Sequence, residues 1–165
     1  MAAVGLIRVD FRLIHGQVIT LWSKTYPTDK IVIIDNDLAK DEFMSMVYES
    51  AAPSGVRVRI YDEDKAIRLW TKNQFGDFKV MILFRDISTC YHMYQKGLPM
   101  ESVQIGGVPK KPNRANIVPA VNLSAEELQQ LGEMDAHGIR VYAQVLPDQA
   151  SMDLKDMEKR FKRAD

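Results

Sequence analysis

Two runs in this sequence, Lys30–Ile34 and Lys79–Phe84, are apolar at every position after the opening lysine. A strand with one face in water would carry polar residues at alternate places; these have none, so both of their faces must be covered. That requirement selects a parallel sheet sandwiched between helices. Other β-branched runs at residues 4–9, 56–61, 102–105, 116–121 and 140–144 supply the remaining strands. Between them lie stretches of helical period. The spacing predicts helices over residues 16–23 and 40–51, and from an Asp62 cap to about Asn73. Others are predicted over residues 87–96, stopped by Gly97, and 124–137, opened by a Ser124/Glu127 capping box and closed by Gly138. A charged final helix over residues 153–163 would turn Leu154, Met157 and Phe161 inward. The expected fold is α/β: an open, mostly parallel sheet of about seven strands with helices on both faces, in a single domain.

Charge narrows the range of partners. Lysine plus arginine and aspartate plus glutamate each number 22 in the 165 residues, so no global field draws the chain to nucleic acid or to an anionic membrane. The single cysteine, Cys90, forms no internal disulfide and leaves no cysteine cluster for a metal, which fits a reducing compartment. The opening residues lack a basic leader and cleavage site, and no apolar run approaches a membrane span. The expectation is a cytoplasmic protein.

In an open α/β sheet, ligand chemistry gathers beyond the carboxyl ends of the strands. The first such loop reads Arg8-Val9-Asp10-Phe11-Arg12-Leu13-Ile14-His15-Gly16-Gln17-Val18. A histidine has an ordinary pKa of about 6.5, so near neutrality most of it is the uncharged imidazole that attacks phosphorus. Backbone N–H groups of Gly16, Gln17 and Val18, at the start of the predicted helix, would face an anion on His15, with Gly16 leaving the approach open. Arg12 offers a bidentate fork to phosphate oxygens. Asp10, two residues earlier, either orients Arg12 or accepts the ring N–H of His15. There is no GxxxxGK[ST] loop and no GxGxxG, so no nucleotide or nicotinamide cofactor is expected, and the phosphoryl donor is expected to be another protein.

The string RVDFRLIHGQV, followed by IVIIDNDLAKDEF, AAPSGVRV, VMILFRD, VQIGGV and NLSAEELQQLGEMDAHGIRV in that order, resembles the IIB components of the mannose/fructose/sorbose family of bacterial sugar phosphotransferase systems. The resemblance covers nearly the whole chain and implies one IIB domain over residues 1–165. It implies that His15 is phosphorylated on its δ nitrogen by a histidine of a phosphorylated IIA protein or domain. It also implies that the phosphoryl group passes to a sugar imported by membrane IIC and IID subunits, with the chain peripheral to that permease. Asp10 and Arg12 match the family motif. Phe11 stands where many relatives have a second acid, so no carboxylate acts from that position here.

Other residues carry weaker signals. Arg85 and Asp86, ending the fourth strand, either line the phosphate pocket or form a surface ion pair. Gly106 and Gly107 either admit backbone to the site or shape a turn. Asp35, Asn36 and Asp37 touch a metal or partner, or, as the favoured reading, cap the next helix. Lys110, Lys111 and Arg114 meet an acidic partner or, more commonly, are solvated charge; His92 and His137 read as structural. Two other functions compete. A histidine-dependent phosphatase or mutase places arginine directly before histidine, whereas Arg12 lies three residues before His15. A receiver-like interaction domain needs an acidic pair after the first strand, and Asp10 is the only acid in its loop.

Overall fold

In the computed structural model, which describes residues 3–164, the central strand is β1 (Ala3–Asp10). Six other strands complete its sheet: β2 (Lys30–Ile34), β3 (Arg57–Tyr61), β4 (Lys79–Phe84), β5 (Ser102–Gly107), β8 (Arg140–Ala143) and β9 (Met152–Asp153). Their order across the sheet is β3-β2-β4-β1-β5-β8-β9. All neighbours are parallel except β9, which pairs antiparallel with β8. The two all-apolar runs are β2 and β4, wholly buried after their first lysines and paired in register from Ile31 opposite Met81 to Ile34 opposite Phe84.

The helices divide between two faces. Helix α1 (Val18–Thr25), α2 (Asn36–Lys40) and α3 (Glu42–Ser50) cover one, where Ile19, Trp22 and Leu38 pack on Leu6, Ile31, Ile33, Met81 and Leu83. Helix α4 (Glu63–Asn73), α5 (Ile87–Gln95), α6 (Ala125–Ala136) and α7 (Leu154–Arg163) cover the other, around Ile82, Phe84, Cys90, Ile105, Leu131 and Met157. The chain leaves β1 toward the first face and leaves the adjacent β4 toward the second. Diverging connections open a crevice at the carboxyl end of β1, where a doubly wound sheet binds its ligands.

Several boundaries differ from expectation for local reasons. Residues 116–121 do not form one sheet strand; they fall within an antiparallel pair, β6 (Ala115–Val118) and β7 (Val121–Leu123), outside the main sheet. Pro119, which has no N–H for a ladder, breaks the run at a turn. The seventh sheet strand is instead β9, two residues too short to leave a sequence pattern. The helix expected over residues 40–51 is α3, which starts at Glu42 because Asp41 is extended and caps it through Met44 N–H; Asp41 also closes the short helix α2 that precedes it. Asp35 caps α2 through Leu38 N–H at 2.9 Å, as the capping reading of that turn requires. The Asp62 cap, the Ser124/Glu127 capping box and the amphipathic final helix stand as expected.

Candidate functional site

Strand alternation puts Arg8 and Asp10 on the side of β1 that faces α1, while Ile7 and Val9 enter the opposite core. Both charged residues are completely buried. The chain then turns sharply, with Leu13 N–H donating to the Asp10 carbonyl at 2.9 Å. Leu13 takes a left-handed φ of 55°, unfavourable for a residue with a side chain, yet its side chain is wholly buried among the α1-side core. That burial offsets the strain and pins the loop beneath His15.

Asp10 is the hub. Its Oδ1 accepts from Arg12 N–H at 3.0 Å and from Arg12 Nε at 3.1 Å. Its Oδ2 accepts from Arg8 Nη2 at 3.1 Å and meets His15 Nε2 at 3.2 Å. The sequence left Asp10 a choice between Arg12 and His15, and the geometry gives it both. Burial pushes the Asp10 carboxyl up, but the hydrogen bonds from Arg12 and the charges of Arg8 and Arg12 outweigh it and hold the group below its ordinary value. An ionised carboxylate only accepts hydrogen bonds, so His15 Nε2 must carry the proton. In the neutral ring this leaves the Nδ1 lone pair free, and Nδ1 has no hydrogen-bond partner among the described residues. The His15 side chain is 22% exposed, so the ring is seated against Asp10 yet open to an incoming group.

Around the ring the cationic parts are arranged unequally. The Arg12 side chain is 36% exposed, and its guanidinium carbon lies 5.3 Å from the centre of the Phe11 ring, which supports it on one side. Phe11, Arg12, Pro109, Lys110 and Pro119 border a groove of about 380 Å³ at this edge of the sheet. Gly16 sits at φ 50°, so it ends the loop in a conformation that favours glycine and the helix starts at Val18, not Gly16. A Cβ on Gly16 would meet nothing within 4 Å, so its glycine serves the turn and not a close approach. Val18 N–H, expected with Gly16 and Gln17 to face an anion, donates instead to the His15 carbonyl at 3.3 Å. The N–H groups of Gly16 and Gln17 make no such bond among the described residues.

Arg8 and the glycine pair were under-read. Gly106 and Gly107 lie inside β5 and shape no turn. A Cβ on Gly106 would come within 2.1 Å of the Arg8 guanidinium carbon, and one on Gly107 within 2.7 Å of Asp10 Oδ1. They are the space that Arg8 and Asp10 occupy. The available signal was an arginine two residues before an aspartate in an otherwise apolar strand, facing a pair of glycines on another strand.

The remaining candidates are engaged elsewhere. Arg85 lies 3.7 Å from Asp35, and Asp86 caps α5 through Thr89 N–H at 2.7 Å; neither touches Asp10, Arg12 or His15. Arg114 is not free basic surface: it makes a bidentate pair with Glu127 at 2.9 and 2.8 Å, the two side chains only 11% and 9% exposed. His92 lies 3.5 Å from Glu63, and His137 bonds the Glu133 carbonyl at the end of α6. No helix among the described residues is long and apolar enough to cross a membrane.

Residues 4–165 match the family model described as PTS system sorbose subfamily IIB component. The chain is 34% identical over 151 residues to the sorbose-specific EIIB component of Lacticaseibacillus casei, covering 92% of each. Among solved structures it resembles the IIBSor domain of the sorbose permease from Klebsiella pneumoniae, with a TM-score of 0.89, 30% identity and coverage of 95% and 97%. It also resembles manxB from Thermoanaerobacter tengcongensis, with a TM-score of 0.92, 40% identity and 98% of each chain covered. A site built on one histidine, one aspartate and two arginines at the head of such a sheet is thus joined to matching sequence over nearly its full length, and the chain belongs to the sorbose subfamily of phosphotransferase-system IIB components.

Proposed function

We propose that His15 is the residue through which this IIB component carries phosphate, with Nδ1 as the attacking atom. The supporting observation is the 3.2 Å contact between His15 Nε2 and the Asp10 carboxylate, which assigns the ring proton to Nε2 and the lone pair to Nδ1. Nδ1 attacks the phosphorus of a phosphohistidine on a IIA protein or domain; the new N–P bond forms as the donor's breaks and the donor imidazole leaves with its electron pair. Arg12 then turns its fork from Asp10 to the phosphoryl oxygens, helped by the N–H groups of Gly16 and Gln17. In the second step a sugar hydroxyl presented by the membrane IIC and IID subunits takes the phosphoryl group, the N–P bond breaks, and the hydroxyl proton is released. The chain works as one domain over residues 1–165, in the cytoplasm at the membrane permease, as a phosphohistidine–sugar phosphotransferase. An EIIA partner accords with the mannose-specific EIIAB component of Escherichia coli, in which a matching segment is 48% of the chain.

The test is mass spectrometry after incubation with phosphoenolpyruvate, the two general phosphocarrier proteins and a cognate IIA. One acid-labile phosphoryl group is expected on the wild type and none on His15→Ala. A phosphoryl group that survives in His15→Ala, or that is stable in acid, overturns the assignment.

A further inference from the structure

Arg8 lies beneath the His15 loop, wholly buried. Its guanidinium donates to Asp10 Oδ2 at 3.1 Å, to the carbonyls of Gln144 at 2.9 Å and Val145 at 3.1 Å, and to Gln104 Oε1. Its Nε has no partner among the described residues. Trp22 flanks the guanidinium, 5.4 Å from ring centre to carbon, and donates its own indole N–H to Val145. A buried guanidinium with an unsatisfied nitrogen is a costly way to fill a core position that Gly106 leaves vacant for it. Packing gives no reason for it; the site does.

Both arginines hold Asp10, on different terms. Arg12 holds Oδ1 at 3.1 Å and reaches Oδ2 at 3.4 Å from the half-open surface, and must leave both side-chain bonds to grip a phosphoryl group. Arg8 holds Oδ2, the oxygen that also meets His15 Nε2, and is tied to β5 and to the segment after β8. We infer that Arg8 is a positioning residue for phosphoryl acceptance by His15, acting through Asp10 as the fixed counter-charge that keeps Oδ2 on Nε2 while Arg12 moves. This rests on His15 being the acceptor.

The role has an electrostatic signature that packing lacks. Among the described residues, the charged or titratable groups joined to Asp10 and the ring are Arg12 from the loop and Arg8 from β1, with Tyr26 and, reached through Gln104 at 3.4 Å, the phenol of Tyr142 on β8 behind them. Burial keeps that phenol protonated, so it adds no charge. Without the Arg8 charge, Asp10 presents more net negative charge to the ring, the imidazolium is favoured, and the neutral nucleophile requires higher pH.

The rate of His15 phosphorylation is therefore measured against pH in the wild type, Arg8→Lys and Arg8→Met. Arg8→Met is expected to move the half-maximal pH upward by about one unit, and Arg8→Lys to stay near the wild type. An Arg8→Met profile with the wild-type midpoint overturns the inference. Should Arg8→Met not fold, side-chain NMR of the unmodified protein decides: Arg8 guanidinium signals are expected to stay in place on phosphorylation while those of Arg12 shift, and Arg8 signals that move with Arg12 overturn it. A wild type phosphorylated away from His15 sinks the function itself, separately.

Discussion

Asp10 Oδ2 stands 3.2 Å from His15 Nε2 and 3.1 Å from Arg8 Nη2, so one buried oxygen joins the half-open His15 ring to a charge that never reaches solvent. Replacing Asp10 by asparagine keeps the shape but offers the ring a neutral partner whose amide can also donate. A hydrogen bond to a charged group contributes about 1.5–3 kcal/mol, so Asp10→Asn is expected to slow phosphorylation of His15 by about 10- to 100-fold, read by rapid-quench transfer from phospho-IIA. An unchanged rate would exclude the tautomer argument.

The glycines of the site differ in kind. Gly106→Ala forces a methyl group into the Arg8 guanidinium and is expected to destabilise the fold by about 1–3 kcal/mol or more. Gly16→Ala meets no neighbour, and its left-handed φ alone is expected to lower stability by about 1–2 kcal/mol. Denaturant unfolding of the two variants gives the comparison; a Gly106→Ala protein as stable as the wild type would mean that Arg8 sits elsewhere.

Arg114→Ala separates structure from chemistry. It strands Glu127 in a largely buried pair and is expected to destabilise by about 3–5 kcal/mol, whereas Lys110→Ala, at an exposed position bordering the Arg12 groove, is expected to change stability by less than about 0.5 kcal/mol. Thermal unfolding distinguishes them. Equal losses would show that the Arg114–Glu127 pair does not hold the loop to α6.

Stability in acid depends on Asp10. Its carboxyl is held below the usual value, so the group binds fewer protons folded than unfolded; its contribution is complete above an unfolded pKa of about 3.9 and is lost as pH falls through the lower folded value. The wild type is expected to lose stability below about pH 4 by an amount that Asp10→Asn does not show. Parallel acid titrations of the two proteins by circular dichroism check this.

How much of this was legible in the sequence follows from range. Strand and helix alternation and the Asp62 and Ser124 caps are local, and they stand; the loop that carries His15 is local as well. What the sequence obscured is long-range. The pairing of Arg8 with Gln104, Gln144 and Val145 spans separations of 96, 136 and 137 residues, and Gly106 looks like any turn glycine until Arg8 is seen to fill its place. Arg114 looked like solvated charge because its partner Glu127 already had a visible task in the Ser124 capping box. The two-residue β9 pairs with β8 on terms that no periodicity announces.

The buried left-handed Leu13 has one more implication. A loop corked into the core is already in place when a partner arrives, so neither docking event has to order it first. For a relay that meets two unlike surfaces in turn, the same rigid target greets both, and haste in the exchange depends on the visitors' fit rather than on the host's rearrangement.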